Sequence, residues 1–179
     1  AQDIGYPLFV KPVQGGSSLG VSCVHDESRL DAAINEALKY DSQIIVEQRI
    51  DGVEVGCAVM GNGKLIIGEV DEIELAGDCF DFTEKYNLIT STIHMPARLD
   101  EATAELVKHT AARIYKALGC AGFARVDMFY TNGGEIYFNE VNTIPGFTAH
   151  SRFPNMLKGI GYTFPGILDE LISQTVGAL

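Results

Sequence analysis

Apolar residues at positions 6–10 run into Lys11-Pro12, a pattern that predicts a short strand. A turn-rich stretch follows, Gln14-Gly15-Gly16-Ser17-Ser18-Leu19-Gly20, and residues 21–24 read as a second strand. Leu30, Ile34, Ala37 and Leu38 recur at helical spacing, so a helix is expected from Ser28, with Asp31 three residues on as its capping-box partner. A third strand, residues 44–47, ends in polar side chains. Residues 54–60 and 65–70 flank Gly61-Asn62-Gly63-Lys64, and such a glycine–asparagine turn between apolar runs predicts a hairpin. Residues 76–92 show no period, are rich in aromatics and charge, and are long enough to read as a functional loop.

Asp100 is placed to cap a long helix with Leu106, Val107, Ala111, Ile114 and Leu118 on one face and Gly119 just beyond its end. Residues 123–130 and 135–141 predict a second hairpin around Thr131-Asn132-Gly133-Gly134. Two short helices close the chain, the last with Thr163 as N-cap, Pro165 in its first turn, and Leu168, Leu171 and Ile172 inward. Hairpins separated by helices, in place of repeating βαβ units, indicate an α+β fold of antiparallel sheet with flanking helices. A boundary near residues 48–52 divides the chain into 1–49 and 50–179.

Composition changes this picture mainly by exclusion. The 179 residues are 46% apolar and 21% charged, which suits a globular chain with a real core. The net charge is −11 with no basic run, so no nucleic-acid partner is expected, and any anionic substrate must meet locally placed cations or a metal. No apolar run reaches membrane-spanning length, so no membrane partner is expected either. Cys23, Cys57, Cys79 and Cys120 are scattered and form no CxxC, which reads as reduced thiols in a cytoplasmic protein. Ala1-Gln2-Asp3 is neither a start methionine nor a signal peptide, as expected of a piece of a longer protein.

Four groups of residues could carry chemistry. In a strand, residues two apart share a face, so Arg125 pairs with Asp127 and Glu140 with Asn142, and the hairpin lays one pair beside the other. Two carboxylates and an amide oxygen form a hard-oxygen set suited to magnesium, with Arg125 as a fixed cation for phosphate. The alternative is a solvated face with cross-strand charge pairs. Asn142-Thr143-Ile144-Pro145-Gly146 ends the strand abruptly, and a glycine there lets backbone N–H groups approach an oxyanion. Lys11 with the Gly15–Gly20 loop could close over phosphates, although the loop is no Walker A motif and would serve equally as a hairpin turn. Glu47-Gln48-Arg49-Ile50, followed by Glu54, could read an adenine edge and a ribose, or be a surface strand end. Phe80-Asp81-Phe82-Thr83-Glu84-Lys85-Tyr86 could be a lid or an anchored loop.

Taken in order, Lys11-Pro12, Gly16-Ser17-Ser18-Leu19-Gly20, Glu84-Lys85-Tyr86, Arg125-Val126-Asp127 and the run from Asn139 through Gly146-Phe147-Thr148 resemble the ATP-grasp fold of the D-alanine–D-alanine ligase family. The resemblance runs from about Tyr6 to the C-terminus. It implies that residues 1–49 are part of the central ATP-grasp subdomain with its phosphate loop, and that 50–179 form the C-terminal subdomain with the metal and acceptor sites. It implies further that Lys11 and Lys85 contact nucleotide phosphates. Glu47, with the backbone around Gln48 and Ile50, would hold adenine, and Glu54 ribose. Asp127, Glu140 and Asn142 would bind two magnesium ions. Arg125 and the backbone of Gly146 would stabilise the transferring phosphoryl group and the acyl oxyanion. Ser17 and Tyr86 would orient substrates, and Ser151 would lie at the second amino acid's carboxylate.

The implied reaction phosphorylates the carboxylate of a first D-amino acid with ATP, and the amine of a second then attacks the acyl phosphate, for peptidoglycan precursor synthesis. Arg152 stands where ligases making D-alanyl-D-alanine commonly have leucine. With Phe147 and Phe153-Pro154 nearby, it resembles the vancomycin-resistance ligases, and Tyr86 resembles those with amine acceptors. D-Serine is therefore the expected acceptor, with D-alanine the alternative, or Arg152 instead pointing to solvent or pairing with Asp169 or Glu170. A nucleotide-binding module without chemistry is the rival from another class. The resemblance implies small D-amino acids as partners and admits a homodimer of the full-length enzyme. The family's N-terminal glutamate for the first substrate and a further nucleotide lysine have no counterpart here. The 179-residue chain is therefore expected to fold but not to ligate, and dipeptide synthesis by the isolated chain would contradict this.

Overall fold

A computed structural model describes residues 3–16, 18–75 and 91–176. Two compact units are present, one containing the described residues up to Asp51, the other Gly52–Glu74 together with the chain from Ile93 onward. The first unit is a three-stranded antiparallel sheet in the order β2-β1-β3, with β1 Leu8–Pro12, β2 Ser22–Val24 and β3 Ile44–Gln48. Alternate residues of a strand share a face. Leu8 and Val10 therefore point together and are buried with Val24 against Ala33 and Ala37 of helix α1, Leu30–Ala37. The expected cap of that helix is corrected. Asp26, not Ser28, is the capping residue: its carboxylate accepts the Ser28 N–H, and a 3-10 turn at Glu27–Arg29 leads into α1, which has no side-chain cap of its own.

The second unit is a five-stranded antiparallel sheet in the order β6-β5-β4-β7-β8. Its strands are β4 Gly52–Met60, β5 Ile66–Leu75, β6 Ser91–His94, β7 Phe123–Thr131 and β8 Ile136–Asn142. Both predicted hairpins are present, as β4–β5 and β7–β8. Helix α2, Glu101–Ala117, covers one face and buries Val107, Ala111 and Tyr115 against Val55, Cys57, Val59, Val126 and Met128. Asp100 caps it by accepting the Thr103 N–H at 2.8 Å, and Gly119 follows its end at φ +66°. The predicted stripe is shifted: Leu106 and Leu118 are exposed, and Tyr115 is buried with its hydroxyl donating to the Gly61 carbonyl at 2.9 Å.

Part of the opposite face is covered by helices α3, Arg152–Gly159, and α4, Phe164–Val176. Phe153, Met156, Leu157 and Ile167 are buried there with Ala58 and Met60. Thr163 caps α4 as expected, accepting the Gly166 N–H at 3.1 Å. Ile167 takes the core position, whereas Leu168 and Ile172 are exposed. The expectation of four reduced thiols holds for Cys57 and Cys120 but fails at Cys23, which is disulfide-bonded, because scattered cysteines offer no spacing signal.

One ion pair ties β5 to the segment after β6. Glu72 is only 3% exposed, and Arg98 donates to it from Nη2 at 2.6 Å, from Nε at 3.2 Å and from its backbone N–H at 2.9 Å. These hydrogen bonds hold the Glu72 carboxyl below the ordinary glutamate value against the opposing effect of burial. A depressed folded pKa gives stability that is present above the unfolded-chain value and lost as pH falls through the folded one. Arg98→Met should therefore lower unfolding stability at neutral pH by about 1–3 kcal/mol, since a buried carboxylate loses its donors. Denaturant unfolding across pH is the check: the two stability curves should converge on the acid side, and parallel curves would contradict the assignment.

Candidate active site

The face of the second sheet not covered by α2 holds the candidate site, and strand register decides which residues meet. Asp71 lies opposite Gly56, Gly56 opposite Asp127, and Asp127 opposite Glu140, so one row crosses four strands. Arg125 lies opposite Asn142 one step along. A shift in the β7–β8 ladder falls between Asp127 and Met128, where Asn139 is the extra residue, and it keeps Glu140 and Asn142 on the face of Arg125 and Asp127.

Asp127 is buried and Arg125 grips it, donating from Nε at 2.8 Å to Oδ1 and from Nη2 at 2.7 Å to Oδ2. The Asn142 side-chain N–H2 donates to Asp127 at 2.9 Å and to Glu140 at 3.1 Å. Asp127, Glu140 and Asn142 thus converge as the sequence suggested. Among the described residues no group of three His, Cys, Asp or Glu side chains is arranged to hold a metal. The donor set here is two carboxylates and an amide, which suits a magnesium ion that keeps phosphate and water in its shell. Because the amide nitrogen faces the carboxylates, cation binding requires that amide to turn by half a rotation and present Oδ1.

Arg152 opens α3 from beneath the same row. Its Nε and Nη2 donate to the two oxygens of Asp71, each at 2.7 Å, a bidentate pair. Nη2 also lies 3.5 Å from Asp127 and Nη1 3.7 Å from Glu54. Burial works against this charge, yet the hydrogen bonds to Asp71 and the charges of Asp127, Asp71 and Glu54 outweigh it and hold the guanidinium pKa above its ordinary value. The alternative in which Arg152 points to solvent or pairs with Asp169 or Glu170 is therefore corrected: its bidentate partner is Asp71. Four carboxylates (Glu54, Asp71, Asp127, Glu140) against two guanidiniums (Arg125, Arg152) leave a formal charge of −2 in this group.

Gly146 lies in the loop between β8 and α3, where Ser151 caps the turn by accepting the Thr148 N–H at 3.0 Å. In the first unit, Lys11 pairs with Glu47 at 2.6 Å across β1 and β3, so the expected phosphate and adenine contacts lie side by side. Gln48 and Ile50 follow at the end of β3. The base of the glycine loop is pinned where the Gln14 N–H donates to Asp41 at 2.6 Å and the Val13 N–H to Gln43 at 3.1 Å. Ser17, Lys85 and Tyr86 lie outside the described residues. Asp71 and Gly56 are residues of this group that motif reading missed; the β4–β5 ladder shifts between Cys57 and Val59, so counting outward from the Gly61–Lys64 turn does not set Asp71 opposite Gly56.

The family model for the D-ala D-ala ligase C-terminus matches residues 1–173. The vancomycin C-type resistance protein VanC1 of Enterococcus gallinarum is 44% identical over 172 residues, covering 96% of this chain and 50% of that protein. The crystal structure of the VanG D-Ala:D-Ser ligase from Enterococcus faecalis superposes with a TM-score of 0.90 at 58% identity, over 97% of this chain and 50% of that one. The D-alanine–D-alanine ligase of Coxiella burnetii does so with a TM-score of 0.84 at 34% identity, over 97% and 46%. The chain therefore spans about half the length of these relatives. Its matched family, its antiparallel sheets and its flanking helices together establish that the chain belongs to the D-alanine–D-alanine ligase family, of whose ATP-grasp fold it forms the C-terminal part.

Proposed function

We propose that the full-length protein is an ATP-dependent ligase that joins D-alanine to D-serine through an acyl phosphate, for peptidoglycan precursors that confer glycopeptide resistance. The observation that carries the ligase reading is the row of Asp127 and Glu140 with Asn142, flanked by Arg125. These three side chains would hold magnesium, which when bound neutralises phosphate charge. Phosphoryl transfer asks for positioning and cations more than for a nucleophile, and the group contains no serine, cysteine or histidine. Lys11 would leave its pairing with Glu47 for a phosphate oxygen, and Glu47 would then face adenine, with Gln48 and Ile50 offering backbone groups. Glu54 would take the ribose, Arg125 the transferring phosphoryl group, and the Gly146 N–H the acyl oxyanion. Ser151 would hold the acceptor carboxylate, Lys85 would contact nucleotide phosphates, and Ser17 and Tyr86 would orient the substrates.

The acceptor reading rests on the Asp71–Arg152 pair. Asp71 engages Nε and Nη2, which leaves Nη1 as the donor that a hydroxymethyl group would meet and a methyl would not. The similarity to a D-Ala:D-Ser ligase supports the same choice. D-Alanine as acceptor and a silent nucleotide-binding module remain the competing readings, and two variants separate them.

Glu140→Gln in the full-length protein should cut turnover at least about 100-fold, because one anionic ligand facing the phosphates is lost, equivalent to about 2.7 kcal/mol. Near-normal turnover of that variant at limiting magnesium would rule out the metal set. Arg152→Leu should move the ratio of kcat/KM for D-serine over D-alanine toward D-alanine by about 5- to 150-fold, the range for a polar group left without its partner. A wild type that prefers D-alanine, or a ratio that stays put in the variant, would rule out D-serine.

A further inference from the structure

Gly56 sits in the interior of β4, where glycine is a poor choice: it has no side chain to pack and loses more freedom on folding than any other residue. Its φ is not in the left-handed region, so the backbone conformation does not demand glycine. What demands it is space. A Cβ built on Gly56 would overlap Arg152 Nη2 and would lie 2.7 Å from Asp71 Oδ1 and 3.0 Å from Asp127 Oδ1.

Other glycines of this sheet differ. At Gly52 the nearest obstacle is the Tyr130 backbone, and at Gly61 it is the Lys64 backbone, so those two are required by the fold. At Gly56 the three nearest atoms all belong to charged side-chain ends of the site. The bare strand leaves a space that the guanidinium occupies, between Asp71 on one neighbouring strand and Asp127 on the other.

We infer that Gly56 is a positioning residue for acceptor recognition, its missing side chain providing the space in which Arg152 lies between Asp71 and the metal-side carboxylate Asp127. The inference rests on the reading of Arg152 as an acceptor-side residue. Any side chain at this position displaces the guanidinium outward and breaks the bidentate geometry with Asp71. An acceptor side built with Arg152 therefore requires glycine at position 56.

The test is a double-mutant cycle in the full-length protein with Gly56→Ala, Arg152→Lys and the two combined; lysine keeps a cation but removes the atom that the new Cβ would strike. Gly56→Ala alone should raise the KM of the wild type's preferred acceptor about tenfold or more, as for a lost charge-assisted hydrogen bond, with the KM for ATP changed less than about threefold. It should also lower Tm by about 3 °C or more. In the Arg152→Lys background the same change should move both quantities less than half as far. Equal shifts in the two backgrounds would overturn the inference, as would an unchanged acceptor KM, which leaves Gly56 a packing residue only. If Gly56→Ala is insoluble, a soluble double variant supports the inference and an insoluble one overturns it. Because the acceptor is whichever one the wild type prefers, a preference for D-alanine sinks the D-serine reading and leaves this cycle decisive for Gly56.

Discussion

The second unit depends on how the Arg152 charge is kept. Its guanidinium is enclosed, and a buried cation is stable only with paired, hydrogen-bonded counter-charge. Asp71 supplies both oxygens, and Asp127 and Glu54 add charge at 3.5 and 3.7 Å. Removing one member of such a pair costs about 3–5 kcal/mol, since the other charge is left uncompensated. The same pair joins the start of α3 to β5 and, through Asp127, touches the Arg125 and Asn142 network. Arg152 with Asp71 and the group around Asp127 thus share one electrostatic network within this unit, so the proposed acceptor and metal sides would each feel a change in the other.

That sharing explains the arrangement around Asp127. Two arginines and an amide face its carboxylate, yet the group as a whole still carries more carboxylate than cation. Arg125 and the Asn142 amide nitrogen hold the position that a divalent ion would take; Arg125 can swing away, and the amide can turn to present Oδ1. The β7–β8 bulge matters here because a regular ladder would send Glu140 to the α2 side, among Val126 and Met128.

Much of this was legible in the sequence, for identifiable reasons. Period-two alternation placed Arg125 with Asp127 and Glu140 with Asn142, and turn chemistry fixed both hairpins. Asp100, Gly119 and Thr163 acted at helix ends as their side chains and backbones dictate. What alternation could not supply was long-range contact. Arg152 and Asp71 are 81 positions apart, so nothing local distinguishes Asp71 from the other acids of β5, and Asp169 and Glu170 looked equally eligible. Gly56 was unreadable for the same reason, since an absent side chain has meaning only once its neighbours are known. The faces of α2 and α4 were read in part: Val107, Ala111 and Leu171 pack inward as expected, while Tyr115 and Ile167 take core places and Leu106, Leu118, Leu168 and Ile172 are exposed.

The central claim is that one row on the sheet face, centred on Asp127, is a divalent-cation site. Anomalous diffraction from crystals of the full-length protein grown with manganese and a non-hydrolysable ATP analogue tests it directly. The account predicts a manganese peak about 2.1 Å from oxygens of Asp127, Glu140 and Asn142, with Arg125 swung off Asp127 toward the γ-phosphate. Manganese bound elsewhere, with Arg125 still clasping Asp127, would contradict it.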